Sequence, residues 1–210
     1  MIVAIDGPAG AGKSTVARTL AERLGFRYLD TGAMYRSLTW LALRDSVPLE
    51  DGARLGALAR ANPVTFDEQG RVSVAGRDVT EAIRQVEVDR AVPIVAAHPE
   101  VRAVMRERQR ELAAEGNAVI EGRDIGTVVV PDAAVKVYLV ADANVRARRR
   151  QHERPEIGGD ALATDLKLRD ESDQARMQPA PDASTIDTTE LGIGEVIARI
   201  EDLVRVHMAV

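Results

Sequence analysis

The sequence predicts an α/β fold on a parallel sheet, and three observations predict it. An apolar run at residues 1–6 (MIVAID) stops at Gly7 and reads as a buried strand. A glycine-rich loop leads directly into residues 13–24, where Val16, Leu20 and Leu24 recur every four positions and Gly25 follows as a terminator. A second short run, FRYLD, comes next and leads into another helical pattern. Strand, glycine loop, helix, strand is the opening of a parallel α/β sheet. The 210 residues suit one core with a modest insertion, and 45% hydrophobic with 29% charged residues excludes collagen-like and wholly disordered chains.

The remaining elements follow in order. Residues 32–44 place Met34, Leu38 and Leu41 on one side of a helix. After Asn62 and Pro63 the rhythm breaks: VTFDEQGRVSVAGRDV alternates apolar and polar residues around Glu68, Gln69 and Gly70, which predicts a small antiparallel hairpin. Residues 62–98 therefore read as an insertion covering an edge of the main sheet, which leaves 1–61 and 99–210 as the core. Pro99, favoured at a first helical position, opens a helix to residue 115. AVIE at 118–121 and AVKVYLV at 134–140 are strands, and an arginine-dense helix spans 143–154. ERPEIGG has loop chemistry. A helix at about 161–177, a short strand at 184–187 and an amphipathic helix at 193–207 close the chain. There is no internal repeat and no interdomain linker.

Charge narrows the classes of partner. The net charge of −5 argues against a polyanion such as DNA as main partner, and the few aromatics (Phe26, Phe66, Trp40, Tyr28, Tyr35, Tyr138) against a base-stacking platform. Only Lys13, Lys136 and Lys167 among the 28 basic residues are lysines; a bias towards arginine in the genome explains this most simply. Without cysteine there is no disulfide framework, thiolate metal site or cysteine nucleophile, and His98, His152 and His207 are too scattered for zinc. No apolar run reaches membrane-spanning length and the N-terminus has no leader pattern, so a soluble, cytoplasmic protein with no membrane partner is expected, as a monomer.

Gly7, Pro8, Ala9, Gly10, Ala11, Gly12, Lys13 and Ser14 fit G-x-x-x-x-G-K-[ST] at every fixed position. Glycines let backbone N–H groups converge on phosphate oxygens, Lys13 reaches the β- and γ-phosphates, and Ser14 is placed to ligate Mg²⁺. The loop lies between a predicted strand and a predicted helix, the context that such a motif requires, so ATP or GTP binding follows. GTPases need N-K-x-D to read guanine, and no lysine here follows an asparagine. A hydrolysing ATPase calls for an apolar strand ending in Asp, which AVIEGRD matches only loosely. A kinase for a small acceptor leads.

The acceptor side is less determined. YLDTGAMYR sets Asp30, Thr31 and Arg36 at a strand-to-helix junction, where open α/β sheets bind ligands. Glu121, Arg123 and Asp124 repeat the arrangement. Arg169, Asp173 and Arg176, at i, i+4 and i+7, form either a binding face or a solvated ion-pair face. Asp30 reads equally as a helix cap and as an acceptor for a water on the metal ion. Trp40 and Tyr35 read as core or wall, and His98 and His207 as surface residues. UMP, AMP or shikimate kinases of similar build, and a regulatory nucleotide-binding module, are the rival readings.

GPAGAGKST, YLDTGAMYR, DVTEAIR, HPEVR, EGRDIGTVVVPDA and RDESDQAR, in this order, resemble bacterial cytidylate (CMP) kinases across residues 2 to about 200. The resemblance implies a P-loop NTPase-type α/β fold: a parallel five-stranded sheet flanked by helices, a helical lid at about 143–160, and the 62–98 insert as the part that binds the nucleoside monophosphate. It implies transfer of phosphate from ATP to CMP or dCMP with Mg²⁺, in pyrimidine nucleotide metabolism. By position, residues 7–15, Thr15 included, hold ATP with Arg146 and Arg150 of the lid. Thr31, Arg36 and Arg123 hold the CMP phosphate, Arg102 and Asp124 read cytosine, Arg169 and Asp173 hold the sugar, and Arg176 lies near the phosphates. Lys13, Arg123 and Arg176 are then the catalytic cations. A carboxylate such as Asp124 can accept from the cytosine amino group and would face a carbonyl of uracil instead. The chain departs from the family at Pro93, where a serine contacting the base is expected; weaker discrimination against uracil would follow.

Overall fold

β1 (Ile2–Asp6) is the central strand that the first apolar run predicts. It lies parallel between β6 (Ala118–Gly122) and β7 (Val135–Val140), with Ile5 opposite both Glu121 and Val137. β8 (Ser184–Asp187) extends the sheet beyond β7, and β2 (Arg27–Asp30) forms the other edge, giving the order β2-β6-β1-β7-β8. The computed structural model describes residues 1–208 except 68, 156, 157 and 175. Its contacts divide the chain into two units, Met1–Tyr28 with Gly116–Val210, and Leu29–Glu115.

In the first unit, Val3, Ile5, Val119, Val137 and Leu139 from the sheet meet Val16 and Leu20 of α1 (Lys13–Leu24) and Val196, Ile197 and Ile200 of α8 (Ile193–Met208). Each such side chain contributes about 1.5–3 kcal/mol on burial. The buried carboxylate of Asp6 ties the end of β1 to a single π-helical turn, Ile125–Val129, by accepting from Ile125 N at 2.9 Å and Gly126 N at 2.8 Å. That turn carries GTVV and has no periodic signal in sequence. α6 (Ala143–Glu153) is capped by Asp142 and packs on α7 (Gly159–Asp173).

α7 ends four residues before the expected boundary at 177. Ser172 and Asp173 are poor interior helix residues and Pro179 follows, so the chain turns there, with Arg176 N and Met177 N closing on Asp173 O at 2.8 and 3.0 Å. Met177 N to Asp173 O is still an α-type bond, and Arg176 Nη2 reaches Asp173 Oδ1 at 2.7 Å, so Arg176 stays beside Asp173. Glu156 and Ile157 of the expected lid, and Ala175 of the helix read to 177, lie outside the described residues.

The second unit holds α2 (Thr31–Arg44), α3 (Gly52–Ala61), α4 (Val86–Ala97), α5 (Pro99–Ala114) and an antiparallel sheet of β3 (Thr65–Phe66), β4 (Val72–Val74) and β5 (Arg77–Asp78). The expected hairpin is thus three-stranded; Glu68 in its turn lies outside the described residues. The stretch 62–98 falls inside this unit. Leu38, Leu41, Leu55, Val72, Ile83, Val95 and Val101 are buried in it. Helices α3 and α4 are not in the sequence-based expectation. α3 carries Gly52 and Gly56, and α4 reads VEVDRAVPIVAA, in which an alternating valine start and Pro93 obscure the helical period. Pro93 offers no N–H to the Asp89 carbonyl four residues earlier. His98 is half-buried rather than on the surface, with Nε2 2.8 Å from Leu49 O. Tyr35 and Trp40 are half-buried, Trp40 under the Arg44 guanidinium at 5.2 Å. Among the described residues no helix is long and apolar enough to cross a membrane.

Candidate active site

The first unit builds a phosphate loop between β1 and α1. Gly7 leaves β1 at φ +143°, and a Cβ there would stand 2.1 Å from Leu139 O, so only glycine fits. Gly10, at φ +76°, passes against the Arg146 backbone. Gly12 precedes α1 in a left-handed conformation and provides no side-chain cap, so the first-turn N–H groups lack the internal acceptor that most helices supply. Those groups, at the positive end of the helix, suit an anion.

The carbonyl side of the same loop is taken up by side chains. Arg123 Nη1 donates to Gly7 O at 3.2 Å, Lys13 Nζ to Pro8 O at 2.7 Å and Arg146 Nη1 to Ala9 O at 3.1 Å. Thr188 Oγ1 lies 3.1 Å from Ala11 O, and Arg149 holds Thr188 through Oγ1 at 2.9 Å and its carbonyl at 2.6 Å. With carbonyls bonded behind, the loop turns N–H groups towards a ligand, while Ala11 N donates within the loop to Pro8 O at 3.4 Å.

Lys13 is buried, and burial together with the neighbouring Arg123 pushes its ammonium down to about 7, against the pull of Glu121, Asp6 and Asp173. A polyphosphate at the loop would favour the charged ammonium. Ser14 Oγ donates to Glu121 Oε2 at 2.9 Å, and the Tyr28 hydroxyl donates to Oε1 of the same buried carboxylate. Asp173 accepts from Arg123 Nε at 3.0 Å and Arg176 Nη2 at 2.7 Å. Burial alone would raise the Asp173 carboxyl, but the two guanidiniums hold it below its ordinary value. Arg146 also pairs with Asp170 at 2.7 Å, while Arg150 pairs with Glu153 on its own helix at 2.9 Å. Lys13, Ser14, Arg123, Asp173 and Arg176 thus belong to one network around the loop. Asp124 precedes the π-helical turn and Arg169 lies on α7, both half-buried.

In the second unit, Asp30 accepts from Ala33 N at 2.9 Å and caps α2, with Arg84 Nη2 3.5 Å from its other oxygen. Thr31, the first residue of α2, is buried. Arg36 on α2 donates Nη1 to Asp89 on α4. Arg102 is half-buried on α5.

One of these acids escapes sequence reasoning. Glu121 had a signal, since it ends the apolar run AVIE and the sequence groups it with Arg123 and Asp124 on the acceptor side, whereas the structure sets it against the loop serine. Asp89 had none, since nothing in VEVDRAV points to a partner on α2.

A glycine loop that exposes its N–H groups between the first strand and first helix of a parallel sheet, with a buried lysine and a serine beside an acid, defines the P-loop class of nucleotide-binding proteins. The family model for cytidylate kinase matches residues 3–206, and the chain belongs to the cytidylate kinase family. It is 49% identical to the cytidylate kinase of Shouchella clausii over 98% of this chain and 96% of that protein. With the cytidylate kinase of Desulfitobacterium hafniense it shares 46% identity over 96% of this chain and 91% of the relative. Among solved structures, a gluconokinase from Sinorhizobium meliloti matches with a TM-score of 0.55 at 14% identity, covering 99% of this chain and 93% of the other, which is a likeness of fold.

Proposed function

We propose that the protein transfers the γ-phosphoryl group of ATP to CMP and dCMP, giving ADP and CDP or dCDP, with a cytoplasmic monomer as its working form. The observation that carries this is membership of the cytidylate kinase family over residues 3–206, together with an intact phosphate loop.

Residues 7–15 hold the ATP phosphates through backbone N–H groups, with Arg146 and Arg150 on the lid at about 143–160. The 62–98 insert serves the monophosphate. Thr31, Arg36 and Arg123 bind its phosphate, Arg102 and Asp124 read cytosine, and Arg169 and Asp173 hold the sugar. Ser14 Oγ beside the Glu121 carboxylate is a hard-oxygen pair, the donor chemistry that suits Mg²⁺. When bound there, the ion would neutralise charge on the β- and γ-phosphate oxygens.

In the reaction an ionised oxygen of the CMP phosphate forms the new P–O bond as the bond between the γ-phosphorus and the bridging oxygen breaks, and ADP leaves with that electron pair. The attacking oxygen is already deprotonated, so no general base is needed. Catalysis is positioning plus stabilisation of charge on the equatorial oxygens by Lys13, Arg123 and Arg176.

ADP formation from Mg-ATP with CMP, dCMP, UMP, AMP and shikimate supplied separately tests this reading. Fast turnover with CMP and dCMP supports it; turnover confined to another acceptor, or none that depends on an acceptor, rejects it. Asp124→Ala is expected to damage CMP turnover far more than ATP binding. An equal loss in both would remove Asp124 from base reading.

A further inference from the structure

Within the second unit, the Arg36–Asp89 pair joins two helices that pack on each other, α2 and α4. Arg36 is the sixth residue of α2 and Asp89 the fourth of α4. Both side chains are largely out of water, at 17% and 12% exposure, so this pair is not a solvated surface bridge. The contact uses one guanidinium nitrogen, Nη1, and one carboxylate oxygen, Oδ1. Among the described residues, Nε and Nη2 of Arg36 have no hydrogen-bond partner within the protein. Those two nitrogens form one edge of the planar guanidinium, the edge that engages two oxygens of a phosphate in parallel.

We propose that Asp89 is a positioning residue for the acceptor phosphate. It anchors Arg36 through Nη1 and so presents the Nε–Nη2 edge in a fixed orientation. Arginine has many rotamers, and fixing the side chain before the ligand arrives removes an ordering cost from binding. The inference rests on the reading that Arg36 binds the monophosphate. A carboxylate beside a phosphate-binding arginine can also act in the opposite way, as a decoy that the phosphate must displace. The two roles give opposite signs on truncation. Losing a positioner weakens acceptor binding, whereas losing a decoy strengthens it.

The test is steady-state kinetics on the full chain with CMP, dCMP and UMP, for Asp89→Ala, Asp89→Asn, Arg36→Ala and the double variant. Asp89→Ala is expected to raise the KM of all three monophosphates by about 5-fold, with kcat within about twofold and KM for ATP unchanged. Asp89→Asn keeps an oxygen acceptor for Nη1 and sheds the charge that opposes phosphate. Its KM is expected within about twofold of the parent or below it, which is rescue by the conservative variant. In the Arg36→Ala background the Asp89→Ala change is expected to raise acceptor KM by less than about twofold, since the effect of Asp89 on the phosphate runs through Arg36. A KM that falls in Asp89→Ala makes the residue a decoy and overturns the proposal. So does an unchanged KM with loss of thermal stability alone, which describes a packing pair. If Arg36→Ala leaves every acceptor KM unchanged, the phosphate role of Arg36 itself is wrong. If Arg36→Ala is severe and Asp89→Ala silent, only the positioning role is. Should Asp89→Ala not fold, Asp89→Ser, whose hydroxyl is too short to reach Nη1, takes its place with the same expected rise in KM.

Discussion

The first turns of α1 and α2 are built in opposite ways. α1 starts from Gly12 with no side-chain cap, and the chain before it has its carbonyls bonded by Arg123, Lys13, Arg146 and Thr188. α2 starts from Asp30, whose own carboxylate closes the first turn on Ala33 N. One helix start is held open by groups from elsewhere in its unit, and the other is complete in itself. The open start can offer backbone N–H groups to an anion of any base or sugar, which suits the phosphates of a common donor. The capped start leaves recognition to side chains such as Thr31 and Arg36, which can be selective and which need their own supports.

The largest effect is expected at Lys13. Lys13→Met is expected to lower kcat by about 10²–10³-fold, as for loss of one preorganised charge at a transition state. The same variant is expected to be more stable than the parent without nucleotide. Its sign follows from the lowered ammonium: the folded value is about 7 and the ordinary one 10.5, so the cost of burying the charge is full below about 7 and fades as pH rises towards 10.5. Urea midpoints at pH 6.5, 8 and 9.5 should therefore show the variant's advantage shrinking with each step. An advantage that grows with pH would contradict the burial argument.

Gly7→Ala comes next, because a methyl 2.1 Å from Leu139 O has nowhere to go. A loss of about 3 kcal/mol or more in chemical denaturation is expected, within the range for strained backbone sites. Asp30→Ala removes only a cap and is expected to cost about 1 kcal/mol in the same measurement. Its affinity for ATP, measured by calorimetry, should stay within about twofold. Equal costs at the two sites would erase the distinction between the starts.

The smallest effect is expected at Asp173. Its carboxyl is held below the ordinary value, so its contribution is present above about pH 4 and is lost as pH falls further. Asp173→Asn should shift the acid limb of the unfolding curve by less than about 1 kcal/mol and leave no difference from the parent at the acid extreme.

The legible parts of the molecule are those whose signal is local. β1, the loop and α1 are read from an apolar run, a fixed motif and a four-residue spacing, and β8 from a short run bounded by turns. The second unit resists because its signals conflict: Pro93 sits inside α4, and Gly52 and Gly56 lie in α3, where tertiary packing on α5 and α2 overrides weak propensity. The site divides in the same way. Lys13 and Ser14 come from the motif, whereas Glu121 and Asp89 gain meaning only when strands and helices distant in sequence meet. The turn at Asp173 shows the same limit, since spacing alone extends the helix that Ser172 and Asp173 end.

The most direct test of the account is a ³¹P NMR spectrum of Mg-ATP and CMP incubated with the protein. ADP and CDP resonances are expected to grow together as ATP and CMP decline, with no orthophosphate. ADP with orthophosphate and unchanged CMP would mean hydrolysis rather than transfer, and an unchanged spectrum would mean nucleotide binding without chemistry; either would contradict it.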